Sequence, residues 1–237
     1  MNRCHLILAL LAGTFGAAAQ AQQAQPIRLL IAGAQGSSEG SYSYAGVLQP
    51  IWGGQLGNGW YRKAIASWLT YRYETERDGE DVTVRARAPG LEGGLGHVWN
   101  RGAFKSDLSL SVGVRHTRLR PDVPTDGPKG TRATLMPQWS AGYAFSPRVD
   151  AEWLAAYTIG TRDRFARARL GIRPASGWRV GPEAVVQAGP EYRNRQFGLF
   201  AGTQVAAGVT VDVNAGQARS RDGNESAYLG VAVSKTF

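Results

Sequence analysis

Runs of about ten residues in which apolar and polar side chains alternate recur along this chain. The clearest run covers residues 107–115, where Leu108, Leu110, Val112 and Val114 share one face. Because successive side chains of a β-strand point to opposite faces, a period of two with one apolar face predicts a strand between two unlike surroundings. Such segments, separated by turn residues, are typical of a transmembrane β-barrel with lipid outside and a polar interior.

Counting these runs predicts an all-β chain that forms a single antiparallel up-and-down transmembrane barrel of about twelve strands. The expected strands cover residues 28–35, 41–49, 60–73, 91–99, 106–117, 131–145, 149–159, 164–173, 178–188, 195–206, 209–218 and 226–237.

The connections between these strands also follow a pattern. The odd-numbered connections 74–90 and 118–130 are long, whereas most even-numbered ones are tight, which predicts an even strand number with both termini in the periplasm. Residues 50–59 form a long even-numbered connection, explained either by a periplasmic loop or by a wrong register there. The register of residues 60–73 is ambiguous, since both faces carry aromatic and charged side chains.

The two ends of the chain carry an export signal and a membrane signal. Residues 1–21 combine Arg3, an apolar stretch and the tripeptide Ala19-Gln20-Ala21, which is the pattern of a cleaved secretory signal peptide. The last strand alternates and ends on Phe237, as many outer-membrane barrels do. We therefore expect a signal peptide at 1–21, a barrel domain at 22–237 and an outer-membrane location. Lys235 departs from the pattern on the lipid side, although a lysine near the rim can extend its ammonium group to the headgroups.

Composition narrows the class of partner. After residue 21 no stretch approaches the roughly 18 apolar residues that a spanning helix needs. The one cysteine, Cys4, lies in the expected signal peptide, so disulfides and thiolate metal sites are excluded from the mature chain. A formal net charge of +9 would suggest nucleic acid for a soluble protein, but export removes that partner. Basic residues also suit membrane rims and a lumen, so outer-membrane lipid is the expected partner.

Residues suited to catalysis are few. Apart from His5, the histidines are His97 and His116, which fall near opposite ends of neighbouring strands and are not expected to share a site. Ser109 and Ser111 point inward, but nothing marks either as a nucleophile. No G-x-S-x-G, metal-ligand cluster or phosphate loop occurs. We expect a non-catalytic protein with no cofactor and no metal, and a membrane-embedded hydrolase is the alternative.

Charged side chains on the inward parity are the more informative group. They are Asp107, Arg115, Asp150, Glu152, Arg167, Arg169, Glu183 and Asp212. Inside a narrow barrel, side chains of opposite charge either form ion pairs that fill the lumen or line a water-filled passage. We favour a filled or narrowly open lumen. The candidate binding residues that face this lumen are Arg115, Glu152, Arg167, Arg169, Glu183 and Asp212.

The seven tryptophans mostly fall near the ends of expected strands. This distribution favours an interfacial girdle, in which the amphipathic rings lie at the level of the headgroups. A sugar-stacking platform is the alternative. It would need aromatic side chains on the inward parity, and Trp68 is the best candidate for that role.

Two segments resemble a known family. The first is Trp-Arg-Val-Gly-Pro-Glu at residues 178–183, and the second is the stretch from Gly189-Pro190-Glu191-Tyr192 to residue 200. Together with the hairpin that contains residues 30–33 and 42–46, the strand at 164–171 and the end at 228–237, they resemble the cellulose biosynthesis protein BcsS family of alphaproteobacteria. The family-motif positions are Gly181, Pro182, Glu183, Glu191 and Tyr192. Pro182 suits a place where the strand ladder is already interrupted, and the two glutamates suit either strand-end geometry or contact with polymer.

The resemblance implies an outer-membrane accessory protein of bacterial cellulose biosynthesis or secretion. Its implied partners are cellulose, or periplasmic and inner-membrane components of the synthase. Because cellulose is uncharged, a glucan passage would need aromatic and hydrogen-bonding groups inside rather than charges of both signs. A scaffold role is therefore favoured over a glucan pore. A general outer-membrane channel or structural barrel unrelated to polysaccharide is the alternative function.

Overall fold

The computed structural model describes residues 27–77, 79–124 and 127–237, so the signal peptide expected at 1–21 lies outside the described residues. The described chain forms twelve strands: β1 (Leu29–Ser37), β2 (Gly40–Pro50), β3 (Gly59–Arg77), β4 (Glu80–Arg101), β5 (Phe104–Arg120), β6 (Gly130–Ser146), β7 (Val149–Thr158), β8 (Asp163–Ile172), β9 (Trp178–Ala188), β10 (Arg193–Ala206), β11 (Val209–Ser220) and β12 (Glu225–Thr236). Each strand pairs antiparallel with its sequence neighbours, and β1 pairs with β12 to close the barrel. The predicted fold class and strand number are confirmed. In the part of the chain that the structure describes, no helix is long and apolar enough to cross a membrane.

The barrel has two distinct ends. The backbone N–H of Ile27 donates to the carbonyl oxygen of Phe237 at 2.6 Å, so the first described residues lie beside the last strand. We call this end the terminal end and the opposite one the distal end. The connection 51–58 lies at the terminal end, as do 102–103, 147–148, 173–177 and 207–208. Of the two explanations for this long connection, the structure therefore supports a loop: residues 51–58 lie at the same end as the termini, and the expected register of the preceding strand is correct.

The outer wall carries an apolar belt. Leu108, Leu110, Val112 and Val114 of β5 are each more than half exposed, whereas the alternate residues Asp107, Ser109 and Ser111 are buried. Aromatic side chains border this belt at the terminal end, where Trp52, Trp60, Trp99, Trp139 and Trp178 are exposed. Trp68 is also exposed on the outer wall, so the structure contradicts its suggested place inside the lumen. The Nζ atom of Lys235 lies 4.7 Å from the ring centroid of Phe237, which explains how a lysine is accommodated at this rim.

One expected loop is a pair of strands. Residues 74–90 were predicted as a long connection, but β3 continues to Arg77 and β4 begins at Glu80. These strands have 19 and 22 residues, whereas about 9–11 suffice to cross a bilayer. The β3–β4 hairpin therefore rises roughly 20 Å beyond the belt at the distal end. The prediction was wrong because the alternation reverses there: Tyr73, Val84 and Ala86 are buried inside, and Arg72 and Arg85 are exposed outside.

Candidate functional site: the barrel interior

A network of charged side chains occupies the interior along β7, β8, β9 and β11, and all of them are buried except Arg173, which is partly exposed in the connection 173–177. We call it the charged network, and its members are the carboxylates Asp150, Glu152, Glu183 and Asp212 and the arginines Arg167, Arg169, Arg173 and Arg179. Arg169 pairs with Glu183, with Asp212 at 3.4 Å and with Glu152 at 3.8 Å. Arg179 pairs with Asp150, and its Nη2 lies 3.2 Å from Glu152. Four negative charges face four positive ones, so the network is neutral, as buried ions require.

Neutral side chains complete this network. Asn214 Nδ2 donates to Glu183 Oε1 at 2.6 Å, and the Tyr228 hydroxyl donates to the same oxygen at 3.4 Å. The guanidinium carbons of Arg169 and Arg179 lie 4.5 Å and 4.8 Å from the ring centroid of Phe200, close enough for cation–π attraction. Phe200 therefore contributes an uncharged contact to both arginines in addition to their carboxylate partners.

Inward-facing glycines make room for these long side chains. A Cβ added at Gly171 would lie 2.8 Å from the Asp150 carboxylate, and one added at Gly202 would lie 2.8 Å from Asp212. Both distances are shorter than real Cβ contacts. The alternation of glycine with charged residues on the inward parity is thus a packing requirement of the network.

The opposite wall of the terminal half is apolar. Leu29, Ile31, Leu48, Tyr61, Ile65 and Val98 form one buried cluster there. The Tyr61 hydroxyl donates to Asp107 Oδ1 at 2.8 Å, and the Lys63 ammonium donates to Ser109 at 3.0 Å and to Gln138 at 3.4 Å. Side chains from both walls therefore occupy the terminal half of the interior.

The distal mouth is covered by contacts that we call the lid. Arg115 Nη1 of β5 lies 2.6 Å from Asp163 Oδ2 of β8, which joins two strands that are not neighbours in the barrel. The Tyr192 hydroxyl donates to Asp163 at 3.3 Å, and its ring stacks on Tyr71 with centroids 4.6 Å apart. Val123, in the connection 121–129, packs in the same buried cluster as Tyr71.

A chamber of about 140 Å³ lies between the charged network and the lid. Its lining includes Tyr42, Tyr44, Glu92, Leu154, Phe165 and Arg167. Three buried lining atoms have no hydrogen-bond partner among the described residues, namely Tyr44 Oη, Arg115 Nε and Asp212 Oδ2. The chamber is therefore polar enough and large enough to hold several water molecules or a small polar solute.

The candidate lumen residues all face the interior, but they divide between two places. Glu152, Arg167, Arg169, Glu183 and Asp212 belong to the charged network, and Arg115 belongs to the lid. Asp150 is also in the network, whereas Asp107 is held by Tyr61 in the terminal half.

The family-motif positions have identifiable structural roles. In the ladder between β8 and β9, Arg169 pairs with Glu183 and the next pair is Ile172 with Val180. Pro182 therefore lies where this ladder is interrupted, as expected for a residue without a backbone N–H. A Cβ on Gly181 would collide with the carbonyl oxygen of Leu170, so only glycine fits there. Glu191 and Tyr192 lie in the connection 189–192, at the lid.

The two histidines do not share a site, as expected. His97 lies on the outer wall, with its ring centroid 4.9 Å from that of Trp60 and 4.3 Å from that of Trp99. His116 lies near the distal end of β5, eight residues beyond Leu108, which pairs with His97. No group of three or more potential ligands within residues 27–77, 79–124 and 127–237 could hold a metal ion.

Sequence reasoning missed several interior residues. Arg179 shares the inward parity of Glu183 in β9, so the alternation already contained it. Asp163 lies one residue before the expected strand 164–173, and Lys63 lies in the segment 60–73, whose register was ambiguous. Asn214 shares the inward parity of Asp212 in β11, but alternation alone could not identify it as a partner of Glu183, because the pattern gives a face and not a neighbour across the barrel.

Comparison with known structures shows the outer-membrane barrel fold. An outer-membrane channel from Pseudomonas putida aligns with a TM-score of 0.56 and 11% identity, covering 91% of this chain and 97% of that one. The KdgM porin aligns with a TM-score of 0.54 and 8% identity, covering 88% and 99%. The KdgM porin in complex with disordered oligogalacturonate gives 0.53 and 7% over 88% and 99%. A search of curated proteins found no match. The family model for cellulose biosynthesis protein BcsS matches residues 29–237, and the chain therefore belongs to the BcsS family.

Proposed function

We propose that this protein is a non-catalytic outer-membrane scaffold of bacterial cellulose biosynthesis and secretion, and that glucan does not pass through its barrel. Membership of the BcsS family supports the link to cellulose. The observation that carries the scaffold role is the charged network, in which eight ionised side chains pair across the interior instead of lining an open passage.

The chemistry of the interior is poorly suited to glucan transport. A moving glucan chain exchanges hydrogen bonds with polar groups and stacks on aromatic rings, whereas here the arginines are held by carboxylates and by Phe200. Opening a passage would separate buried ion pairs, and each uncompensated charge would cost several kcal/mol. The apolar cluster on the opposite wall fills the rest of the terminal half, so a glucan chain would have to displace it as well.

The terminal end offers a surface for a partner. In this proposal it faces the periplasm, and the connection 51–58 projects from it. Trp52 in this connection is 72% exposed and has φ of 51°, a conformation that bulky residues rarely adopt and that is often retained for function. Asn100 Nδ2 donates to the carbonyl oxygen of Gly57 at 2.6 Å and holds the loop in shape. We assign the loop as the docking site for a periplasmic or inner-membrane component of the synthase.

We propose that the protein is non-catalytic because a substrate cannot reach the side chains best suited to catalysis. Lys63 and Ser109 form the arrangement closest to a nucleophile and its base, with Nζ and Oγ 3.0 Å apart. Both side chains are buried, at 4% and 3% exposure. A polymeric substrate cannot reach them without unpacking the terminal half of the barrel.

The proposal is tested by deleting the gene and restoring it as single variants. Deletion is expected to reduce or misplace surface cellulose, measured by dye binding, and the parent chain is expected to restore it. Trp52→Ala is expected to fail to restore it although the barrel is inserted normally. The matched control is Trp178→Ala, which removes another exposed tryptophan at the terminal end but not in the loop. Unchanged cellulose after deletion would overturn the link to cellulose, and full rescue by Trp52→Ala would overturn the docking loop.

A general channel is the second candidate function. The chamber and the lid favour it, since a lid that moved aside would open the chamber, with its unpartnered polar atoms, to the distal side. Steady ion flow through the purified barrel would support this candidate over the scaffold.

A further inference from the structure

The outer wall changes from apolar to cationic at the distal border of the belt. On β5 the outward residues run from Leu108 to Val114 and then continue to Arg118 and Arg120. On β4 the outward residue Leu91 is followed toward the distal end by Arg87 and Arg85. With the outward Arg72 of β3 these side chains form the arginine cluster: Arg72, Arg85, Arg87, Arg118 and Arg120.

The strand register places like charges directly opposite one another. Arg85 pairs with Arg72 on one side and with Arg120 on the other, which gives a row of three arginines across three strands. Arg87 pairs with Arg118 in a second row. Side chains directly opposite in an antiparallel sheet have Cβ atoms about 5 Å apart, and like charges in that position destabilise the sheet.

The protein itself supplies little compensation. Arg72 forms a bidentate pair with Glu39 in the turn 38–39, and hydrogen bonding to this guanidinium lowers the pKa of Glu39. Within the described residues, no carboxylate pairs with any of the four other arginines. Among the described residues, the acidic side chains of the outer part of the hairpin lie farther from the belt, toward its tip; they are Glu74, Glu76, Glu80 and Asp81, and Glu74 also attracts Arg72. The cluster therefore carries a net positive charge that an external anion would neutralise.

We propose that the arginine cluster binds the phosphate groups of anionic lipid headgroups in the outer leaflet. Guanidinium groups bind phosphate in a bidentate manner, and two rows of them offer several such contacts. Arg87 and Arg118 lie four residues beyond Leu91 and Val114, roughly 10 Å above the belt, which places their long side chains within reach of the headgroups. The cluster faces sideways from the wall, where a lipid is the adjacent molecule. This inference does not depend on the role in cellulose production.

The test measures binding of diphosphoryl lipid A to the full barrel in neutral detergent micelles. Its variant is Arg87→Gln with Arg118→Gln, and its matched control is Arg101→Gln with Arg148→Gln, two exposed arginines at the terminal end. The affinity of the variant is expected to fall about twenty-five-fold, because each arginine near an anionic lipid surface contributes roughly a factor of five. The control is expected to bind as the parent does, and dephosphorylated lipid A is expected to bind the parent and the variant equally weakly.

The unfolding temperature shows whether a weaker affinity of the variant results from misfolding. Without lipid A, the variant is expected to unfold at a temperature equal to or above that of the parent, since two repelling charges have been removed. Lipid A is expected to raise the unfolding temperature of the parent more than that of the variant. Equal affinity of parent and variant would overturn the proposal. So would binding of inorganic phosphate or soluble polygalacturonate that matches the binding of lipid A.

Discussion

At the scale of single residues, parity along a strand determines which surroundings a side chain meets. The sequence was sufficient to place Glu152, Arg167, Arg169, Glu183 and Asp212 inside the barrel, because strict alternation leaves one choice once the apolar face is assigned. It could not show which of them touch. Arg169 meets Glu183 on the adjacent strand β9 but also Asp212 on β11, and that second contact depends on barrel curvature and on glycines that allow close approach.

Removal of Arg169 should destabilise the barrel more than removal of any exposed arginine. Arg169→Gln leaves Glu183, Asp212 and Glu152 without their shared counter-charge, and we expect the free energy of unfolding to fall by about 3–5 kcal/mol. Arg164→Gln, an exposed position in the same strand, is the control and should change it by less than about 0.5 kcal/mol. Denaturant unfolding of the refolded barrel, followed by tryptophan fluorescence, provides the measurement. Similar losses for both variants would show that the charged network contributes little.

At the scale of elements, alternation identified all twelve strands but underestimated their lengths at the distal end. Inside a bilayer the apolar face of a strand points outward, whereas above the bilayer it points inward. Residues 74–90 kept the period of two but reversed its sense, so a search for outward apolar residues interpreted them as a loop. The same reversal explains why residues 60–73 were ambiguous, since Tyr71 and Tyr73 are buried inside near the point where β3 leaves the belt.

The contribution of the lid to closing the chamber can be measured by the access of a soluble reagent. Tyr192→Ala removes both the stacking on Tyr71 and the hydrogen bond to Asp163, so the chamber should open toward the distal side. The mature chain is expected to have no cysteine, and Ala156→Cys therefore places a single thiol in the chamber lining. We expect a soluble maleimide to label this thiol at least tenfold faster when Tyr192→Ala is also present, because the lid no longer restricts access.

Labelling of a thiol in the distal turn supplies the control for this comparison. Ser38→Cys lies in the turn 38–39, outside the chamber, and should react quickly whether or not Tyr192 is present. If the chamber thiol reacts as fast in the parent lid as in the Tyr192→Ala background, the lid does not close the chamber.

At the scale of the whole molecule, three layers follow one another along the barrel axis. The apolar cluster and charged network fill the terminal half, the chamber lies above them, and the lid covers the distal mouth. The sequence predicted the barrel, its strand number and its family. It could not predict this layering, because the layers join residues from strands that are distant in sequence, such as β3 with β6 and β5 with β8.

The central claim is that the barrel is closed to bulk flow, and conductance across a planar lipid bilayer tests it most directly. The purified full chain is predicted to insert without steady ionic current, because the charged network and the apolar cluster remain in place even when the lid opens. Tyr192→Ala should be equally silent for the same reason. Insertion steps of constant, ohmic conductance from the parent chain would contradict the account and identify the protein as a channel.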